Sequence, residues 1–488
     1  MRSKILLLSL SIPILFVSVT YAQSGGTDAV SGATSRVAFS RPEEQERVRF
    51  KEELKAELLE ELRSEMNAAN PAASAPQAEK PSRLTIGGYG EAVMTRNFFS
   101  DNYLRYITPE KYKDDKSHGR FDLPHVVIWL GYDFGRGWSM GTEIEFEHGG
   151  TESAIETEFE EGGEYESEIE RGGEVALEQF WIQKSFMPQL NLRMGHIVVP
   201  VGATNANHMP TEFFGAYRPE GENTILPCTW HETGISLWGV VGKWRYEVMF
   251  LPGLDSDRFG NDSWIAGGAG SPYEFKIGNA YAGAFRVDNY SVPGLRLSLS
   301  GYAGNSFSNS LSGNRNKGTY ADVKGTVLIG AFDFAYDAHD WIVRGNFDYG
   351  HLSDSKLITQ YNKNLSQNSP SPKQNVGSDA LAGGIEAGYN FFGLSDKLSA
   401  KGQRLYLFGR YEYYDSMFKT DRTILRTEWC HRHRVAAGIN YFPIKNIVVK
   451  AECGVGLLGS YRWNGTTVQF NDEPFFSLGI AYSGLFKR

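Results

Sequence analysis

The chain has 488 residues, a net charge of −9 and three cysteines, at 228, 430 and 453. Three cysteines exclude a disulfide scaffold, and no structural bridge is expected. With 54 glycines, 13% aromatic residues and a mean hydropathy of −0.36, the composition fits a soluble exported protein or a transmembrane barrel. Hydropathy is blind to barrels because their strands alternate lipid-facing and lumen-facing residues and average to neutral.

The N-terminus sets the compartment. Arg2 and Lys4 precede an apolar run from Ile5 to Val19, and Thr20-Tyr21-Ala22 supplies a small-residue cleavage site. Residues 1–22 read as a secretory signal peptide, since the run is short for a membrane span, which needs ~20 residues. Residues 23–40 are small and polar and predict disorder. Residues 41–69 carry Leu54, Leu58, Leu62 and Met66 at a spacing of four amid Glu, Lys and Arg. That spacing predicts a charged helix. Val48, Leu59, Leu62 and Met66 give it a partial heptad seam, so it reads equally as a trimerising stalk or as a solvated helix. Residues 70–83, rich in Pro and Ala, form a linker.

From Leu84 onward the period changes to two. Strands are expected near 84–97, 120–135, 138–148, 174–187, 190–199, 231–241, 243–252, 278–288, 294–304, 324–336, 340–350, 379–391, 402–415, 429–442, 446–458 and 472–485. Short links such as Gly135-Arg136-Gly137 and Met187-Pro188-Gln189 alternate with eight long ones, at 98–119, 149–173, 200–230, 253–277, 305–323, 351–378, 416–428 and 459–471. That layout predicts an all-β fold, a transmembrane antiparallel β-barrel of about sixteen strands over 84–488, with both chain ends on the periplasmic side. Strands of roughly ten residues also match a tilted membrane crossing. A soluble sandwich would have shorter strands, mostly ~5–6 residues. The apolar faces carry Leu295, Leu297 and Leu299; Val435, Ala437, Ile439 and Tyr441; and Phe476, Leu478, Ile480 and Tyr482. The chain ends SGLFKR, so Phe486 is followed by two basic residues where such barrels often end in an aromatic.

Several stretches resemble one family. IGGYGEA (86–92), GRFDLPHVVIWLGYDF (119–134), EIEFEHGG (143–150), GGEVALEQFWIQKSF (172–186) and, above all, GHIVVPVG, HMPTEFFGAYRPE and ILPCTWHETG within 195–234 resemble the phosphate-selective porin O and P family, in its Bacteroidetes-type outer-membrane form. The resemblance implies a barrel of about sixteen strands in a Gram-negative outer membrane, a homotrimer, passive conduction of small solutes, and a third long loop that folds inward to narrow the pore. That loop corresponds to about 200–230.

Alternation predicts which charges face the lumen, because a basic residue on the lipid face costs about 2–4 kcal/mol at the midplane. The basic ladder comprises Arg193, Lys243, Arg245, Arg286, Arg296, Arg344, Arg404, Arg410, Arg432, Arg434 and Lys450. Its acidic counterparts are Glu143, Glu145, Glu147, Glu247, Asp348, Glu412 and Glu452. Most of the arginines are expected to pair with these acids and brace the wall; the others would draw anions. At the constriction, Glu212, Arg218, Glu220, Glu222, His231 and Glu232 are the candidates, with Arg218 expected to face the pore and Phe213, Phe214, Tyr217 and Trp230 to anchor the loop.

Residues 141–178 hold fourteen Glu and one Arg. Such a run is usually solvated, and it opposes a simple anion preference. His431 and His433 share a strand face without a third ligand, so no metal site and no cofactor are expected. Neither HExxH nor CxxC occurs, and no enzyme is expected. The leading expectation is an outer-membrane porin for small hydrophilic solutes, with outer-membrane lipid as its surroundings, no nucleic acid as partner and an anion preference left open. The alternative is a structural tether, with the N-terminal helix contacting peptidoglycan and the acidic loop binding divalent cations.

Overall fold

A computed structural model describes residues 83–487, apart from 116–117, 149–152, 160–164, 172–173, 272–274, 311–314, 316 and 370. The expected signal peptide, polar segment and charged helix, with nearly all of the linker, lie outside the described residues.

Sixteen antiparallel strands make one closed barrel. They are β1 (Leu84–Asn97), β2 (Gly119–Asp122 continuing as His125–Gly135), β3 (Trp138–Glu147), β4 (Glu174–Met187), β5 (Leu190–Val198), β6 (His231–Val241), β7 (Trp244–Pro252) and β8 (Tyr281–Asn289). The second half is β9 (Leu295–Asn305), β10 (Thr326–Ala338), β11 (Trp341–Leu352), β12 (Asp379–Asn390), β13 (Arg404–Lys419), β14 (His431–Ile444), β15 (Ile447–Leu457) and β16 (Glu473–Lys487). Each expected strand coincides with an observed one. The largest shift is at the end of β13, which runs to Lys419 rather than 415.

Each strand pairs with its sequence neighbours, and β16 closes on β1 from Gly87 opposite Leu485 to Asn97 opposite Phe475. Closure leaves no unpaired edge for lipid to meet. The two parts of β2 both pair with β1, Asp122 opposite Val93 and Val126 opposite Gly90. The gap falls at Leu123-Pro124, where proline has no N–H to give the ladder. Two small hairpins, Ser153–Phe159 with Tyr165–Arg171 and Ser460–Trp463 with Thr466–Gln469, lie in long connections. No helix among the described residues is long and apolar enough to cross a membrane, which says nothing against a barrel.

The period-two pattern sorts residues in the expected way. On β9, Leu297 and Leu299 face outward and are exposed, while Ser298 and Ser300 are buried within. On β16, Leu478 and Ile480 are outside and Ser477 and Ala481 inside. Part of the interior is apolar. Val199, Val201, Ile225, Leu226 and Trp230 of the inward loop pack with Leu254, Phe259, Trp264 and Ile265 of the connection after β7, and with Ile358 and Tyr361 of a helix, Ser355–Lys363, after β11. Long connections thus fill one side of the barrel with a core of their own, and the polar lumen is what they leave.

Candidate functional site: the inward loop and the charged wall

The chain between β5 and β6 contains two short helices, Ala203–Ala206 and Glu220–Ile225. It is fixed to the barrel wall by its backbone. Lys450, fully buried on β15, donates from Nζ to the carbonyl oxygens of Phe213 (3.0 Å) and Gly215 (2.7 Å), and lies 4.1 Å from the centre of the Phe213 ring. Ala216 N–H donates to Glu452 (2.8 Å) and Gly221 N–H to Glu412 (2.9 Å). Carboxylates of the wall thereby satisfy loop donors that have no ladder to join. Phe214 stacks on Phe408, with ring centres 5.1 Å apart. Gly388 makes room, since a Cβ there would run into the Phe214 ring. Trp230 packs against Tyr302 at 5.0 Å. Gly202 opens the loop at φ +86°, a left-handed conformation that favours glycine, and a Cβ there would strike the Glu222 carboxylate.

The basic ladder is largely a set of braces. Arg286 donates to Asp288 (2.8 Å), to Asp333 (3.0 Å) and to Gly202 O (2.8 Å). Arg296 donates to the same Asp333 oxygen at 2.9 Å. Arg245 pairs with Glu247 and, at 3.3 Å, with Asp288. Arg344 pairs with Glu386 at 2.7 Å, and Arg410 with the other oxygen of Glu386 at 3.3 Å. Arg432 reaches Glu473 at 3.1 Å, and Arg434 pairs with Glu220. Arg193 donates to Gln183 (3.1 and 3.2 Å) and lies over Trp181. Arg404 lies over the Phe442 ring at 4.9 Å. Lys243 is exposed in the turn between β6 and β7, outside the strand pattern. The braces also use Asp288, Asp333, Glu386 and Glu473, which are not among the acids expected from the sequence. The same alternation that marks Arg286 also marks Asp288, and Asp333 lies between outward-facing Phe332 and Phe334.

The constriction candidates separate into two groups. Glu212 and Glu222 line a cleft of about 600 Å³ between the loop and the wall of β9–β13, together with Arg296, Arg344, Arg410 and Glu412. Glu222 accepts from Thr204 N–H at 3.2 Å and from its hydroxyl at 3.1 Å. Glu220 faces β13 and β14, close to Arg434 and Arg432. The other group lies away from this cleft. His231 pairs with Glu178 at 2.9 Å, and Glu178 also accepts from Tyr89 at 3.1 Å. Glu232, almost fully buried, pairs with Lys276 at 3.0 Å. Arg218, expected to face the pore, is half-buried instead and is absent from the cleft lining. It donates to His208 O (3.3 Å) and Thr229 Oγ1 (2.9 Å).

A closed sixteen-stranded wall, a charged lumen and a long loop pinned inside it define a porin-like barrel. Its sequence is 26% identical, over 376 residues, to an uncharacterized protein of Aquifex aeolicus (strain VF5), across 76% of this chain and 74% of that protein. No protein-family model matches the chain. Among solved structures it is similar to the outer membrane channel DcaP of Acinetobacter baumannii (11% identity, TM-score 0.48, 84% of this chain and 100% of that one). It is also similar to OmpF of Salmonella typhi (10%, 0.47, 82% and 97%) and to OmpT of Vibrio cholerae in its trimer form (12%, 0.44, 83% and 100%). The barrel is defined by its own strand pairing.

Proposed function

We propose that the chain is an outer-membrane porin, a passive diffusion channel for small hydrophilic solutes. The observation that carries this reading is the closed barrel with an apolar outer face, whose charged lumen is narrowed by a loop pinned to the inner wall. Such a wall suits lipid outside and water inside, and residues lining the narrow part select among solutes. The export signal read over 1–22 and the motifs resembling the phosphate-selective porins support the same reading, which extends to assembly as a homotrimer. The helix over 41–69 would then be a periplasmic stalk, trimerising or in contact with peptidoglycan.

The charge preference is set at the cleft. Most ladder arginines are neutralised by acids of the wall, so they brace more than they attract. Arg296 and Arg344 keep 15% and 27% of their side chains exposed and oppose Glu212 and Glu222. This balance supports a weak preference and not a phosphate-specific pore. Purified protein in a planar bilayer tests the function: stepwise conductance is expected, and no conductance at any voltage would overturn the channel. Within that experiment Arg344→Glu should move the reversal potential under a salt gradient toward cations, whereas Arg218→Glu should move it less.

A further inference from the structure

We propose that the inner wall of β2 and β3 carries a binding site for a divalent first-row transition-metal ion, formed by His125, Glu145 and Glu147. The antiparallel register sets His125 opposite Glu147 and Val127 opposite Glu145. Period-two alternation then turns all three functional side chains to the lumen face, with Glu145 diagonal to the histidine. One ligand atom from each lies within 4.8 Å of the others. Tetrahedral donors around a small ion at ~2.0–2.2 Å sit about 3.4 Å apart, so modest side-chain rotation closes the triad.

Two independent features point to a cation. The first is the orientation of the imidazole. His125 Nδ1 lies 2.7 Å from Oε1 of Glu91, itself buried on β1. A carboxylate only accepts, so Nδ1 carries the proton, which leaves Nε2 as the nitrogen free to bind a metal. A carboxylate behind a histidine is the usual outer partner of a metal-bound imidazole. The second is Glu145. It is only 4% exposed, and its Oε1 has no hydrogen-bond partner. Arg218 of the inward loop interacts electrostatically with Glu145 yet donates its hydrogen bonds to His208 O and Thr229. A buried carboxylate oxygen without a donor, beside an imidazole and a second carboxylate, lacks a positive partner. One imidazole with two carboxylates suits zinc or manganese rather than calcium, which takes oxygen donors. Glu147 also ends β3 where the glutamate-rich connection begins, which favours cations at the entrance.

Glu143, Glu178 and His208 make a neighbouring triad, so the experiment must separate the two. Zinc chloride is titrated by calorimetry into the full chain folded in detergent, with folding checked by the shift in gel mobility on heating. Saturable binding is expected, weakened at least tenfold by His125→Gln and by Glu145→Gln and unchanged by His208→Ala. Absence of saturable binding to the unaltered chain overturns the site. So does binding that survives both His125→Gln and Glu145→Gln, or that disappears only with His208→Ala. Cobalt bound to the unaltered chain should give visible absorption bands that calcium at the same concentration does not displace. Displacement by calcium would also overturn the assignment.

Discussion

Arg286 holds a full charge with 2% of its side chain exposed, which is tolerable only because Asp288, Asp333 and a loop carbonyl surround it. Removing one partner of a buried ion group leaves the others uncompensated and costs about 3–5 kcal/mol. Arg286→Met should fall at the lower end, about 3 kcal/mol, because Arg296 still serves Asp333 and Arg245 still reaches Asp288. Urea unfolding followed by tryptophan fluorescence measures it. Glu222 gives a pH dependence. Burial first, and then the neighbouring Asp333, push its carboxyl up to about 7. A raised acid contributes stability that is present below its unfolded value of 4.5 and is lost as pH rises through about 7. The same ionisation adds a negative charge to the cleft, so cation preference in a bilayer should grow between pH 6 and 8, and Glu222→Gln should flatten that rise. Parity alone showed Arg286 facing inward. It could not show Asp333 as its partner, because that acid comes from a strand two places along the wall, and sequence spacing carries no sign of which lumen charges meet across it.

The inward loop was legible as an element, by its place between two alternating stretches and by its aromatic content. What held it was not. Glu412, Glu452 and Lys450 look like ordinary lumen charges in sequence, yet they bind the backbone N–H and C=O groups of residues 213–221. Backbone donors have no residue signature, so such contacts cannot be read from side-chain type. The consequence is testable at the level of the loop. Lys450→Met removes both hydrogen bonds to the tip while keeping an apolar contact for Phe213. Single-channel recordings should then show a larger and noisier conductance, with the Lys450→Met/Glu452→Gln pair exceeding the single change. An unchanged trace in the double variant would mean that the aromatic seat of Phe214 at Gly388 suffices. The apolar filling beside the loop was also hidden: Leu254, Phe259 and Trp264 lie in a connection that reads as a plain external loop, and only their burial with Val201 and Trp230 reveals a shared core.

For the whole barrel, strand number and closure were readable because each of sixteen segments repeats one rule, apolar outward and small or charged inward. That rule does not by itself separate a membrane barrel from a soluble one, since both alternate. Depth does. A charge on a lipid face costs about 2–4 kcal/mol at the bilayer midplane and about 0–1 kcal/mol near the interface, whereas a water-exposed face shows no such gradient. Val248 and Val241 lie on the outward face of neighbouring strands and are equally exposed, at 54% each, but Val248 is midway along β7 and Val241 ends β6. Val248→Arg should therefore lower unfolding free energy in lipid vesicles by about 3 kcal/mol and Val241→Arg by less than about 1 kcal/mol. Equal losses at the two sites would place this face in water and remove the physical basis for a channel.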